Sequence, residues 1–224
     1  MKIDDNYIAA NEYSEFIRDK NFPCIGAKTA LAKNQVQCLV SGNMACPADD
    51  EKILEYLYSY IDSYRKTGGI FHSVAIIFTG PDNISEAIFE KLLWQRLQAI
   101  SNLDSVNYKY DKRVSSDTAS PDFSFSLKEE AFFIIGMHPR SSRPSRRFKY
   151  PALIFNPHEQ FELMKATNKY EIMKQSVRKR DMIFSGSVNP MLNDHGKKTE
   201  VLQYSGKNYT SPLKCPLKIN HASS

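Results

Sequence analysis

The stretch Phe71-His-Ser-Val-Ala-Ile-Ile-Phe78 decides the fold, because its compact run of apolar residues reads as a strand. On its N-terminal side the pair Gly68-Gly69 stops a helix expected over Asp50 to Lys66. There Ile53, Leu54, Leu57, Tyr58 and Ile61 recur at helical spacing. On its C-terminal side the turn Gly80-Pro81-Asp82-Asn83 leads into Ile84, Ile88, Leu92, Leu93, Leu97 and Ile100, which mark a second amphipathic helix. A strand packed between two helices is the nucleus of an α+β domain.

Working outward, Tyr7 to Arg18 reads as a helix ending before Phe22-Pro23, since proline disfavours helical geometry in the residue before it. A short Ala-rich helical turn follows Phe22-Pro-Cys-Ile-Gly-Ala-Lys28, and Gln35 to Val40 has strand character, with a loop from Gly42 to Pro47 after it. Asp104 to Pro121, rich in Ser, Asp and Lys, is expected to be a mobile surface loop. Phe123 to Leu127 and Ala131 to Met137 form an expected hairpin, and Tyr150 to Phe155 another strand. Pro157 fits the first position of a helix over His158 to Lys165, and a further helix spans Tyr170 to Phe184. Beyond Gly186 the periodicity fades. The expectation is one domain over residues 1–224, with a central mixed or antiparallel sheet flanked by helices and an irregular C-terminal segment.

The chain has 224 residues, 42% of them hydrophobic, enough for a substantial core. No run approaches the roughly 18 to 20 apolar residues that span a bilayer, and Met1-Lys-Ile-Asp-Asp-Asn6 lacks the apolar stretch of a signal peptide, so a cytoplasmic protein with no membrane partner is expected. Cys24, Cys38, Cys46 and Cys215 have no metal or disulfide spacing and read as reduced thiols. A net charge of +5 suggests an anionic ligand without requiring nucleic acid.

The charge clusters where a buried strand ends, in Gly136-Met-His-Pro-Arg-Ser-Ser-Arg-Pro-Ser-Arg-Arg-Phe148. Arg140, Arg143, Arg146 and Arg147 offer the paired donors that carboxylates and phosphates accept, though a solvated basic loop has the same composition. His158, in Phe155-Asn-Pro-His-Glu-Gln-Phe161, is expected to project from the same end of the sheet as His138, so that the two imidazoles flank one ligand. Glu159 or Glu162 can orient such a ring, but a histidine at a helix start is more often a capping or packing residue. Asp194-His195-Gly196 can fold back as a lid or be a plain turn, and Cys24 or Cys215 can supply a thiolate or be a small buried hydrophobe. The phosphate-loop and dinucleotide frames are both missing.

These blocks, together with Phe22-Pro-Cys-Ile-Gly-Ala-Lys-Thr-Ala-Leu31, Asn189-Pro-Met-Leu-Asn-Asp-His-Gly196 and Gln203-Tyr-Ser-Gly206, make the sequence similar to the YqcI/YcgG family over most of its length. Some relatives in that family look like haem-dependent oxygenases that hydroxylate a nitrogen of an amino acid such as arginine or lysine. The resemblance therefore implies haem b, its iron, dioxygen as co-substrate, a small amino-acid substrate and an electron donor. Without a C-x-x-C-H motif the haem would be non-covalent. From their positions in the chain, His158 is the expected axial iron ligand for such a haem, His138 the alternative ligand or distal catalytic group, and His195 a second catalytic group. Arg140, Arg143, Arg146 and Arg147 would meet haem propionates or the substrate carboxylate. A non-catalytic haem or anion carrier is a second reading. A basic nucleic-acid-binding module is a third, against which stand the modest charge and the absence of aromatic stacking motifs in the arginine loop.

Overall fold

The computed structural model describes residues 5–189, 198–209 and 213–221. The stretch around Phe71 forms β2 (Ser73–Gly80), which pairs in parallel with β1 (Val36–Asn43) in the register Val36↔Ser73 to Asn43↔Gly80. Parallel neighbours need a crossover, and α3 (Asp50–Thr67) supplies it. β3 (Phe125–Leu127), β4 (Glu130–Met137) and β5 (Ala152–Pro157) complete a mixed five-stranded sheet in the order β1-β2-β5-β4-β3, with every pairing beyond β1–β2 antiparallel. The architecture is α+β, with the strand–helix nucleus where the periodicity put it.

Strand alternation separates two cores. Val74, Ile76 and Phe78 of β2, with Phe132 and Ile134 of β4 and Leu153 and Phe155 of β5, pack against α3 and α4 (Glu86–Asp104). The helices answer with Ile53, Leu57, Ile61, Phe89, Leu93 and Leu97, one apolar stripe each. The intervening Ala75, Ile77, Met137, Ala152 and Ile154 face the other way, towards Ala9, Tyr13 and Ile17 of α1 (Asp5–Arg18). α2 (Ile25–Ala32), α5 (Glu159–Ala166) and α6 (Lys169–Ser185) lie beyond α1, and the four-residue α7 (Val201–Tyr204) packs on β4.

The expected hairpin forms with an uncommon turn, and two further details depart from the sequence reading. The hairpin between β3 and β4 turns through Lys128 and Glu129, both at positive φ (49° and 57°), the geometry of a two-residue turn that usually takes Asn or Gly. It is held from outside. Asp104 accepts the Lys128 N–H at 2.9 Å, and Arg65 donates to the carbonyls of Lys128 at 2.7 Å and Glu129 at 3.1 Å. Pro157 closes β5 instead of opening a helix, and His158 is the N-cap of α5. The polar stretch from Asp104 to Pro121 is no plain surface loop. Asp104, Tyr110 and Asp111 are buried, and Asp111 accepts the Ala131 N–H at 3.0 Å and pairs with Arg113. A polar composition concealed this because the buried carboxylates satisfy main-chain donors of neighbouring elements.

Gly136 is where the sheet and α4 meet most closely. A Cβ there would lie 2.8 Å from Phe89, Leu93 and the Tyr204 carbonyl oxygen at once. Gly136→Ala is expected to lower stability by about 1–3 kcal/mol through overpacking, read as a shift of the urea midpoint with an unchanged slope.

Candidate functional site

Between the second sheet face and α2, α5 and α6 lies a cavity of about 1070 Å³. Such a space is at the top of the range of about 300 to 1,000 Å³ that small-molecule and cofactor sites occupy. Its floor is Phe133, Ile135 and Met137 of β4 with Ile154 of β5, and Met173 and Val177 of α6 face them. The apolar floor follows from the period of the strands. β4 sends its even-numbered side chains to α4 and its odd-numbered ones here.

At the Met137 end the wall is ionic. Arg143 and Arg146 are buried, and both border the cavity. Arg143 is neutralised by a short ion pair with Asp181 and also donates to the Ser187 carbonyl at 2.9 Å. Arg146 donates to the carbonyls of Tyr204 at 3.1 Å and Gly136 at 3.4 Å, and among the described residues it has no carboxylate within salt-bridge distance. Burial and the neighbouring Arg143 push its guanidinium down to about 10, so it remains a cation at neutral pH. A buried cation satisfied only by carbonyls is suited to an anion. Gly206, at positive φ, lets the arginine lie flat, since a Cβ there would meet Arg146 Cδ at 2.9 Å.

Cys24 stands beside this charge. It is the N-cap of α2, its Sγ accepts the Ala27 N–H at 3.4 Å, and it borders the cavity. Burial pushes the thiol up, the helix N–H groups of Ala27 and Gly26 favour its thiolate, and the Asp181 carboxylate, which disfavours it, offsets the Arg146 guanidinium. Cys215 lies apart from the cavity, packed against the α3–α4 core, and all four cysteines are free.

At the other end stand His158 and Asn156. His158 Nδ1 lies 3.2 Å from Ser124 Oγ and Nε2 lies 3.8 Å from Glu162, and burial lowers the pKa of the ring. Asn156 Nδ2 donates to the Phe133 carbonyl at 3.1 Å. Glu200 and Gln203 border the same space.

His138 is not among these residues. β4 and β5 are antiparallel, so His138 after the end of one and His158 after the end of the other lie at opposite ends of the ladder, about 20 Å apart along the strands. The expectation that they flank one ligand is overturned by that topology. His138 is fully buried on the α4 side, stacked on Phe89 with ring centroids 4.4 Å apart. Neither ring nitrogen has a hydrogen-bond partner among the described residues, and burial lowers its pKa to about 4. Arg140 and Arg147 also turn away from the cavity. Both are exposed and bond to the carbonyls of Asn83 and Ser141. His195 lies outside the described residues.

Glu200 and Asp181 escaped the sequence reading. Each is a lone carboxylate in a helical or irregular stretch, and only the fold brings one against Ser124 and the other against Arg143. Among the described residues no group of three or more His, Cys, Asp or Glu side chains could hold a metal ion, and no helix is long and apolar enough to cross a membrane.

The comparisons with known proteins agree with the sequence blocks. The profile of the YqcI/YcgG family matches residues 13–218. The Bacillus subtilis (strain 168) protein described as "Uncharacterized protein YqcI" is 28% identical over 197 residues, covering 84% of this chain and 76% of its own length. No solved structure matches.

His138 makes the fold acid-sensitive. The folded chain keeps it neutral down to about 4, whereas the unfolded chain protonates it near 6.5. Its contribution is complete above that window and is lost as pH falls through it, by roughly 3 kcal/mol in all. Urea midpoints at pH 7 and pH 4.5 should fall markedly in the native protein, and by less in His138→Leu.

Proposed function

The chain belongs to the YqcI/YcgG family, and we propose that its cavity holds non-covalent haem b and serves oxygen-dependent hydroxylation of a nitrogen on a small amino acid. One observation carries this reading. A thiol at a helix N-terminus, held by N–H groups and near a buried arginine whose hydrogen bonds go only to carbonyls among the described residues, borders a large apolar cavity. The fit to haem is good on chemical grounds. The floor of Phe133, Ile135, Met137 and Ile154 suits a porphyrin face, and Arg146 suits a propionate or a substrate carboxylate. The donor side chains that stand singly among the described residues suit a metal that brings its remaining ligands in a macrocycle.

Of the candidate iron ligands, Cys24 is better supported than His158. Its Sγ is already turned to the Ala27 N–H, an arrangement that tempers a thiolate's charge, and the Gly26 N–H acts in the same sense. Bound haem would supply dioxygen activation, which a thiolate ligand promotes by donating electron density. The chain's own residues then have separate tasks. Arg143 and Asp181 neutralise one another and stiffen the wall, Arg146 fixes an anionic group, and the apolar floor excludes water. The balanced change converts a substrate N–H to N–OH with one oxygen atom of dioxygen. The other atom leaves as water with electrons from an external reductant and protons from solvent.

Purification from haem-supplemented cells is expected to give a Soret band at one haem per chain. Cys24→Ser should abolish the thiolate-type spectrum while His158→Ala retains it; the reverse outcome would assign the iron to His158. Haem binding without dioxygen-dependent hydroxylation of arginine or lysine would reduce the protein to a carrier, and absence of the band would refute the reading.

A further inference from the structure

We propose that Glu200, Ser124 and His158 form a hydrogen-bonded relay that carries protons from the surface to the ligand held in the cavity, with Glu200 as the donor at its wall. The assignment of the ligand rests on the haem oxygenase reading, whose reaction consumes protons. The relay itself rests on the protein's own hydrogen bonds.

Ser124 Oγ is fully buried and lies between two cavity residues, 3.0 Å from Glu200 Oε1 and 3.2 Å from His158 Nδ1. Tyr204 makes a short hydrogen bond to the same Oε1, and its own oxygen accepts the Phe125 N–H at 3.2 Å. Oε1 thus accepts from two hydroxyls, which leaves the acid proton to Oε2. No lysine or arginine neutralises Glu200 among the described residues, and burial, outweighing the hydrogen bonds it accepts from Tyr204, Ser124 and the Phe125 N–H, raises it to about 8. At neutral pH it is therefore a carboxylic acid, the form that can give a proton.

The order of transfers follows from these contacts. The ligand takes the proton on Glu200 Oε2, and Oε1 takes the Ser124 hydroxyl proton. Ser124 takes the proton on His158 Nδ1, and Nε2 is recharged from the side of Glu162, which is half-exposed 3.8 Å away. Each donor is restored once the Glu200 carboxyl has rotated to bring its proton from Oε1 back to the Oε2 position, the Ser124 hydroxyl has turned back to Glu200 and the imidazole has exchanged tautomers, and one proton has moved from solvent to the cavity. Tyr204 and Tyr110 face Glu200, while Glu162, Lys165, Asp111 and Arg113 bear on His158. His158 joins the chain by its placement, with Nδ1 on Ser124 Oγ and Nε2 towards Glu162.

The test uses the full chain, first without haem. Infrared difference spectra between pH 6 and 10 should show a protonated-carboxyl band that disappears with a midpoint of about 8 and is absent from Glu200→Gln. Nitrogen NMR should find the His158 tautomer altered by both Glu200→Gln and Ser124→Ala. An ionised Glu200 at pH 7, or a His158 indifferent to both substitutions, overturns the relay. With haem bound, Glu200→Gln should slow hydroxylation roughly a hundredfold or more at an unchanged Soret band and remove the alkaline limb of the pH profile. An unchanged rate and profile would make the network structural only. A protein that binds no haem but passes both spectroscopic tests keeps the relay and loses the oxygenase reading.

Discussion

The antiparallel ladder between β4 and β5, in the register Phe132↔Pro157 to Met137↔Ala152, sets where every group of the cavity stands. A slip by one residue would exchange the two faces of β4, turning Phe133, Ile135 and Met137 into α4 and sending Phe132 and Ile134 into the cavity. Gly136 defends the register. Only a residue without a side chain fits beneath Phe89, Leu93 and the Tyr204 carbonyl. The same ladder carries the arginine-rich segment away from one end and His158 away from the other, so that the cavity acquires an ionic end and a proton-handling end.

The ionic end is asymmetric by construction. Arg143 precedes a short 3-10 turn and Arg146 is its last residue, yet the first is neutralised by Asp181 and the second is left with carbonyl partners. A buried pair such as Arg143–Asp181 contributes geometry more than net stability, because its desolvation offsets much of its attraction. The unneutralised Arg146 contributes in the opposite sense. It costs stability in the ligand-free chain and regains it when an anion arrives. Cys24 sits within reach of that charge and of Asp181, whose opposite effects on a thiolate offset one another, so the N–H groups at the start of α2 are what favour it.

The other end is organised by carboxylates that serve main-chain donors. Asp104 gathers the Tyr58 hydroxyl, the Lys128 N–H and His221, and Asp111 gathers Ala131 and Arg113. These contacts hold the β3–β4 hairpin, and with it Ser124 one residue before β3, at a fixed distance from His158. The chain around residues 104–121 is thereby an integral part of the cavity's support, although its composition is that of a solvated loop.

Local periodicity was sufficient for the strand–helix nucleus, because the apolar stripes of α3 and α4 and the continuous run in β2 each follow from side-chain geometry within one element. It was sufficient as well for the location of the arginine segment and of His158 at strand ends. Family membership was also written in the sequence blocks. Strand direction was not, since both parallel and antiparallel neighbours are compatible with the same apolar run. For that reason His138 and His158 read as partners until the ladder separated them, and Arg140 and Arg147 read like Arg143 and Arg146 until packing turned one pair outward and the other inward. Glu200 could not be recognised from its neighbours at all. Its acidity depends on burial against Ser124 and Tyr204, and desolvation is a property of the assembled interior, which only tertiary structure creates.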